Sequence, residues 1–502
     1  MLTHKLPLIS ILIIQSIFSG IWLLLSQDDR SKNIAIISSL FSLFIGVLLY
    51  LGFDNTTANM QFVEDYSWIT SLRINYYVGI DGISLPLILL TLFINLIIIL
   101  TAKDLVNQQL NYYMGLFFFL QAMVIGVFVA LNAFLYYLFW EGMLIPMYLC
   151  IGIWGSQLRS YAAIKFFIYT FFGSVIMLLA LIYLSIKSGS SSILSFYNLP
   201  LSLHEQIYIL LAFMLAFAVK IPMWPVHTWL PDAHTEAPAG GSVILAALML
   251  KVGAYGFFRF CLPIVPDACL ETSWLLIVLS LIAIVNIGLV ALAQHDMKRL
   301  IAYSSVAHMG FVSLGCFMIY PIFQNSGHLP SAQLALSGAM VQMITHAFGS
   351  GGMFLAFGLL YDKLHTRLIA DMGGIVQKMP YFTAFFMIFV LSNVGLPGTA
   401  GFVGEFMVLV SAVQTNFWVA LLAGLTLVLS ASYSLFMFKR VFYGPIIQNN
   451  VEKLDDITSH QYIALSLMTF GIFFIGLYPQ PLIHMMDKSI INLVQLALQA
   501  KF

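Results

Sequence analysis

Runs of about 20 apolar residues recur along this sequence, and they constrain its fold more than any other feature. A helix of about 20 residues spans the roughly 30 Å hydrocarbon core of a bilayer. The approximate limits of the runs are 6–26, 33–53, 83–102, 112–131, 132–155, 160–187, 205–235, 240–262, 272–294, 298–319, 331–360, 380–415, 416–441 and 461–482. Of the 502 residues, only 8% are charged, against about 25% in an ordinary soluble domain. The sequence therefore predicts an all-α polytopic membrane protein with about 14 transmembrane helices.

The seventh and twelfth runs contain residues that interrupt a helix. In the seventh run, Pro222, Pro225 and Pro231 each remove a backbone donor and clash with the preceding turn. In the twelfth run, the segment SNVGLPGTAGF places glycines around Pro397 near the middle of the membrane, where a second break is expected. Corresponding breaks in two halves of a chain are typical of inverted-repeat transporters, which have their ion path at the breaks.

The two breaks also suggest how the chain is organised. We expect residues 1–111 to form transmembrane helices 1–3 and residues 112–262 to form a first repeat of five helices, 4–8. Residues 272–441 would form a second, inverted five-helix repeat, and residues 442–502 would hold helix 14 and a tail. The two halves share no strong residue-level similarity, so this division depends on the breaks.

The loop charges predict the orientation. When alternate loops are assigned to opposite faces, twelve lysines and arginines lie on the face away from the N-terminus and six on the N-terminal face. The six are Lys5, Arg73, Lys187, Arg259, Lys488 and Lys501. Because cytoplasmic loops carry the excess of lysine and arginine, we expect both termini on the periplasmic side of a bacterial inner membrane.

Several ionisable residues are predicted to lie near the middle of the bilayer. Glu141, Lys251 and His308 each lie about ten residues into their runs, which corresponds to a depth of about 15 Å. His346 falls at a similar depth in the eleventh run. A charge at the bilayer centre costs at least ~2.5–3.5 kcal/mol on insertion scales, so each group must be paired, hydrated or neutral part of the time.

Three more residues extend this set. Lys220 directly precedes the first break and Glu405 follows the second, so both lie beside irregular backbone that can hold water. Lys165, near one end of the sixth run, either joins them or extends toward the membrane surface. The complete predicted proton relay consists of Glu141, Lys165, Lys220, Lys251, His308, His346 and Glu405.

Proton carriage is the chemistry that suits these residue types. Burial disfavours the charged form of lysine and of glutamate, whereas a nearby opposite charge favours it. Two unit charges 4 Å apart interact by about 4 kcal/mol at an effective dielectric of 20. Making and breaking an ion pair such as Glu141 with Lys220 would therefore load and release a proton. The alternative is a purely structural pair that holds helices together, and the histidines would then be packing residues.

The sequence gives little support for metal, cofactor or nucleic-acid binding. The four cysteines lie singly in apolar stretches, which argues against an iron–sulfur cluster or a structural zinc. The group His227, Asp232, His234 and Glu236 fits no standard metal-ligand spacing. We find no nucleotide, flavin or NAD fingerprint. Equal numbers of basic and acidic residues, 21 of each, exclude nucleic acid as a partner.

Three motifs resemble a known family. FWEGMLIPMY contains Glu141, AFAVKIPMWPVHTWLPDAHTEAPAGGSVILAALMLKVGAYGFFRF contains Lys220 and Lys251, and HDMKRLIAYSSVAHMGF contains His308. They resemble the proton-conducting membrane subunits of respiratory complex I and their Mrp-type antiporter relatives, over residues 75 to 445. The stretch YYVGIDGISLPLILLT and Glu405, where sister subunits usually carry lysine, point to one subunit type within that family.

The resemblance implies more than the residues do. It implies fourteen helices, two inverted five-helix units and a central hydrophilic axis. It also implies that NAD, FMN, iron–sulfur clusters and quinone belong to other subunits, with no cofactor in this chain, and that sister antiporter-like subunits on either side and lipids are its partners. The alternatives are a subunit of an Mrp-type multisubunit cation/proton antiporter, a passive spacer in a membrane arm, and a solute transporter, for which no substrate signature is found.

Overall fold

Long apolar helices make up most of the chain. The structure is a computed structural model that describes residues 6–26, 30–72, 74–106, 108–446 and 448–501. In these residues, thirteen helices are long and apolar enough to cross a membrane, and two shorter apolar helices, Pro380–Val394 and Ala400–Ala412, follow each other within the twelfth run. These spans overlap the fourteen predicted runs, so the predicted class, an all-α polytopic membrane protein, is confirmed.

The helices are labelled in chain order. They are α1 (Leu8–Leu25), α2 (Ser31–Leu51), α3 (Ser84–Leu105), α4 (Leu110–Val129), α5 (Ala133–Trp154), α6 (Arg159–Ser188), α7 (Leu203–Lys220), α8 (Trp229–Glu236), α9 (Ala239–Ile264), α10 (Pro266–Leu292), α11 (Met297–Phe317), α12 (Leu329–Leu364), α13 (Pro380–Val394), α14 (Ala400–Ala412), α15 (Phe417–Phe442), α16 (Ser459–Leu477) and α17 (Gln480–Ala497). Shorter helical segments are Thr70–Leu72, Ile193–Phe196, Ile319–Ser326, Ile369–Asp371, Ile375–Gln377 and Asn449–Glu452.

Helix breaks are present at both predicted places. Helix α7 ends at Lys220 and α8 begins at Trp229. The Trp229 indole N–H donates to the Val219 carbonyl at 2.8 Å and satisfies one of the carbonyl groups that a helix end leaves without a partner. Helix α13 ends before Gly395, whose φ of +78° lies in the left-handed region that favours glycine. The division into two inverted repeats remains a prediction.

Helix α9 changes its geometry on both sides of Lys251. The segments Leu245–Met249 and Phe257–Cys261 are π-helical. A π turn shifts the backbone hydrogen-bond register by one residue, and such turns are frequent at functional sites. All of α9 is buried inside the protein, so Lys251 faces other helices rather than lipid.

A two-stranded antiparallel hairpin, which the apolar runs do not predict, precedes α3. Strand β1 (Gln61–Ile69) pairs with β2 (Ile74–Ile80). The buried Glu64 carboxylate of β1 accepts the backbone N–H groups of Ile9 and Ser10 at 3.0 and 3.2 Å. These are N–H groups of the first turn of α1, which lack helical partners and attract a negative charge. The hairpin therefore caps the first helix.

The predicted C-terminal tail is itself a helix, α17. It carries polar residues such as Asp487 and Lys488 on one side and buries Met486, Leu493 and Val494 on the other. It packs against α3 and α12, and the Gly82 backbone N–H donates to the Ser489 hydroxyl at 3.0 Å. Helix α17 thus holds the hairpin end of the fold to the core.

Two cations that we counted as loop charges are buried. Arg259 forms a buried ion pair with Asp81, which follows the hairpin, and the Lys298 amine donates to the Ala237 carbonyl at 2.5 Å. Of the other counted cations, Lys5 and Arg73 lie outside the described residues. The orientation of the termini therefore stays a prediction.

Candidate functional site

Lys251 is fully buried in the middle of α9. Its amine donates to the Ala246 carbonyl at 2.5 Å and lies 2.7 Å from Nδ1 of His346 on α12. Ala246 belongs to the first π-helical segment, where the shifted register leaves the carbonyl accessible to a side chain. Among the described residues, no carboxylate lies within ion-pair distance of this amine. A polar, uncharged environment thus holds the Lys251 amine.

His346 connects Lys251 to a second histidine. Its Nε2 atom lies 3.1 Å from the Ser350 hydroxyl, and its ring centroid is 6.0 Å from that of His308 on α11. A cavity of about 10 Å³ is lined by both histidines. This volume is close to the ~10–15 Å³ that one water molecule needs. The cavity therefore has room for about one water beside the two rings.

His308, the second histidine, contacts a buried carboxylate. Its Nδ1 atom lies 2.6 Å from Oε1 of Glu405, and both side chains are 2% exposed. The Gln342 amide also donates to Oε1, at 3.1 Å, whereas Oε2 has no hydrogen-bond partner. Glu405 lies on α14 just after the second break, so a titratable oxygen faces the irregular backbone. The Tyr433 hydroxyl lies 3.5 Å from Nε2 of His308.

Four of the seven predicted relay residues thus lie in one buried row, from Lys251 through His346 and His308 to Glu405. Hydrogen bonds join its first and last pairs. A cavity with room for about one water adjoins the two histidines. We call these four residues the buried row.

Glu141 and Lys220 are close to the first break but do not form the predicted ion pair. The Lys220 amine is buried without a hydrogen-bond partner and lies 5.1 Å above the Trp140 ring, an arrangement that attracts a cation. Glu141 is only half-buried, and its Oε1 atom also lacks a partner. Adjacent helical residues point about 100° apart, so Trp140 and Glu141 leave α5 in different directions.

Lys165 is separate from the buried row. Its amine lies 2.6 Å from Oδ2 of Asp232 on α8, and Arg299 approaches the other oxygen of this carboxylate at 3.5 Å. Both Lys165 and Asp232 are partly exposed. The structure therefore favours the interpretation that Lys165 pairs near the membrane surface.

The histidines and carboxylates around α8 do not converge on one point. Asp232 faces Lys165, whereas Glu236 accepts a hydrogen bond from Ser156 at 2.6 Å. The His234 ring stacks on Phe354. Within the described residues, no group of three or more His, Cys, Asp or Glu side chains is arranged to hold a metal ion.

A polar cavity of about 240 Å³ lies beside the end of α8, on the face away from the N-terminus. Glu236, Lys298, Asp362 and Arg367 line it, and Arg367 lies 3.4 Å from Glu236. We missed Lys298 as a site residue because it begins a helix and was counted with the loops. Its burial beneath a polar cavity could be detected only from the packing of α11 against α8.

Two discontinuous helices and a buried row of titratable residues define an antiporter-like membrane protein. The chain belongs to the family described as NADH:quinone oxidoreductase/Mrp antiporter, transmembrane, which it matches over residues 130–430. This confirms the resemblance found in the sequence motifs.

Relatives within this family indicate the subunit type. The chain is 44% identical to NADH-quinone oxidoreductase subunit M of Rhodobacter capsulatus over 94% of its length and 91% of the relative. It is 40% identical to NADH-ubiquinone oxidoreductase chain 4 of Arabidopsis thaliana over 96% of both chains. Glu405 and the stretch YYVGIDGISLPLILLT predict one subunit type, and the relatives confirm it as the M, or chain 4, type.

Solved structures of membrane complexes contain chains with the same fold as this one. A chain of respiratory complex I from Thermus thermophilus matches with a TM-score of 0.88 and 26% identity, over 98% of this chain and 100% of that chain. The archaeal membrane-bound sulfane sulfur reductase matches with a TM-score of 0.80 at 23% identity, over 93% of this chain and 76% of that chain. The second likeness shows a shared fold alone.

Proposed function

We propose that this chain is the M-type membrane subunit of an NADH:quinone oxidoreductase and that it carries protons across the membrane. The observation that supports this proposal best is the buried row from Lys251 to Glu405. Its members are titratable and hydrogen-bonded in pairs, and lipid-buried groups of this kind are typical of proton relays. NAD, FMN, iron–sulfur clusters and quinone act in other subunits, and this chain takes no part in electron transfer.

Coupling begins at Glu141 and Lys220. Redox energy released elsewhere in the complex changes the field at the half-buried Glu141, and its approach toward the Lys220 amine stabilises a proton there. Withdrawal of Glu141 sends that proton through Lys251 and the histidines to Glu405, which releases it outward. Sister antiporter-like subunits on either side, in a bacterial inner membrane with both termini periplasmic, would supply and receive this signal.

Substitution of Glu405 tests the proposal. Glu405→Gln keeps the side-chain volume but cannot release a proton, so the rate of NADH-driven proton translocation should fall at least about 10-fold. The measurement uses inverted membrane vesicles that contain the assembled complex. His328→Gln is the control, because His328 is exposed in a loop. A normal rate of proton translocation in Glu405→Gln would overturn the proposal.

The family also includes Mrp-type antiporters, which would use the same residues without electron-transfer partners. Purification of the chain in mild detergent separates the two functions. We expect NADH-oxidising subunits to purify with it. Purification with cation-transport subunits alone would favour the antiporter.

A further inference from the structure

The two oxygens of the Glu405 carboxylate have different surroundings. Oε1 lies 2.6 Å from Nδ1 of His308 and accepts a hydrogen bond from the Gln342 amide at 3.1 Å. Oε2 is buried and, among the residues that the structure describes, has no hydrogen-bond partner. One oxygen is therefore held by two side chains of neighbouring helices, whereas the other is able to take a further partner.

Gln342, on α12, approaches Glu405 with the donor end of its amide. An ionised carboxylate only accepts hydrogen bonds, so the Gln342 side chain must turn its NH2 group to Oε1. The amide oxygen at the other end then accepts from the Thr345 hydroxyl at 3.2 Å. Gln342 is 1% exposed, so water does not compete for either end. Gln342 thus presents to Glu405 a group that donates a hydrogen bond and takes up no proton.

Two glycines give the carboxyl group its space. A Cβ atom at Gly404 would lie 2.6 Å from the backbone nitrogen of Gln342, so a side chain there would push α14 away from α12. A Cβ atom at Gly395 would lie 3.0 Å from Oε2 of Glu405, and Gly395 is the glycine with positive φ at the second break. The Gln342 amide is therefore able to reach Oε1, and Oε2 lies directly beside the backbone of the break.

Arrival of a proton changes what Glu405 offers to its neighbours. The proton leaves Nδ1 of His308 and binds Oε1, so an N–H bond breaks, an O–H bond forms and the imidazolium becomes neutral. The Gln342 NH2 group then faces a hydroxyl, whereas the carbonyl oxygen is the better acceptor for a donor. Rotation about the terminal torsion of the glutamate, which is soft, exchanges the two oxygens. The carbonyl oxygen then faces the amide, and the hydroxyl faces the break.

We propose that Gln342 is a positioning residue that gives proton transfer at Glu405 its direction. It holds the acceptor oxygen on the side of His308 and turns the hydroxyl to the second break, where a water takes the proton and the carboxylate is restored. One proton enters and one leaves in each cycle, and no other bond changes. Without the amide, the hydroxyl stays on His308 and returns its proton to the buried row. This inference rests on the proposed function and deepens it, because it gives the two oxygens separate tasks.

Replacement of Gln342 by methionine removes the amide and keeps a side chain of similar length. We expect the rate of NADH-driven proton translocation in Gln342→Met to fall about 10-fold, as for the loss of one hydrogen bond to a charged group. The infrared carbonyl band of protonated Glu405, assigned by its loss in Glu405→Gln, should move to higher frequency because the carbonyl oxygen has lost a donor. A packing role alone predicts a lower Tm of the complex and an unmoved band.

The measurements use the assembled complex, in inverted vesicles for the rate. Gln414→Met is the matched control, because Gln414 is exposed just after α14, and it should pump at the normal rate. A normal rate or an unmoved band in Gln342→Met overturns the inference. If that variant does not assemble, Thr345→Val decides instead, because it releases the amide oxygen: a normal rate with an unmoved band there overturns the inference.

Glu405→Gln is measured in parallel to keep the two proposals apart. A normal rate in Glu405→Gln contradicts the proposed function. A loss in Glu405→Gln together with a normal rate in Gln342→Met contradicts only the positioning role of Gln342.

Discussion

The Lys251 amine lies 2.7 Å from Nδ1 of His346. Lysine in its charged form only donates hydrogen bonds, so Nδ1 of His346 must then accept, and the ring proton must lie on Nε2 beside the Ser350 hydroxyl. If Lys251 loses its proton, the same contact allows Nδ1 to donate. The protonation state of Lys251 thus constrains the tautomer of a histidine on a separate helix.

Removal of either partner should therefore abolish the same step. We expect Lys251→Met and His346→Gln each to lower the rate of NADH-driven proton translocation at least about 10-fold, and the double variant to be no worse than either single variant, because groups that act as a unit are not additive. The rate of proton uptake into inverted vesicles measures this. Losses that multiply in the double variant would show that the two residues act independently.

A substitution of Lys220 tests whether its buried charge serves proton transfer or stabilises the fold. Its amine is buried without a hydrogen-bond partner, and such a charge lowers stability unless it is paired. We expect Lys220→Met to abolish pumping and yet to leave the Tm of the purified complex unchanged or higher. A Tm that falls by several degrees would mean that Lys220 has a structural role.

The buried pair of Arg259 and Asp81 should be structural. Asp81→Asn leaves the Arg259 charge with a neutral partner in a buried site, which typically costs about 3–5 kcal/mol, so the Tm of the purified complex should fall. The control is Lys187→Met, which breaks a pair with the partly exposed Glu205 and should leave the Tm nearly unchanged, because exposed ion pairs contribute little to stability. Equal changes in Tm for Asp81→Asn and Lys187→Met would contradict a structural role specific to the buried pair.

Gly253 allows α9 to approach the end of α7. A Cβ atom at Gly253 would lie 2.9 Å from the Lys220 Cβ and from the Ile221 backbone nitrogen, so Gly253→Ala must displace the broken helix. We expect a loss of proton yield that exceeds any loss of assembled complex on a gel. Gly152→Ala, where a Cβ meets nothing within 4 Å, is the matched control and should pump normally.

Spans and breaks could be predicted from the sequence because both arise from local chemistry. A run of about 20 apolar residues suffices for a span, and Pro222 and Pro397 interrupt a helix wherever they fall. Depth also follows from counting residues, and it places Lys251, His308 and His346 at one level.

The partners of the buried charges could not be predicted in this way. Counting residues along a helix gives the depth of a side chain but not the direction in which it points. The sequence therefore predicts that Glu141 pairs with Lys220, although the Lys220 amine lies above Trp140. The contact between His308 and Glu405 depends on how α11 packs against α14, and no spacing along the chain contains that information.

Helix α17 was missed for a different reason. Asp487 and Lys488 interrupt its apolar residues, so a search for continuous runs passes over it. Its buried residues Met486, Ile490 and Leu493 recur at helical spacing, which is the signal of an amphipathic helix. The hairpin gave only a weak signal, because most of β1 is exposed and its burial does not alternate along the strand.

The first π-helical segment presents an acceptor to Lys251 through the number of residues it contains. Loss of one residue between Leu245 and Met249 would let this turn close as an ordinary α turn and return the Ala246 carbonyl to the helical hydrogen bonds. Exchanges among apolar side chains of similar volume leave that carbonyl available to the Lys251 amine. Length is therefore fixed more strictly than composition in this stretch, and a single-codon deletion there should be more harmful than any conservative replacement.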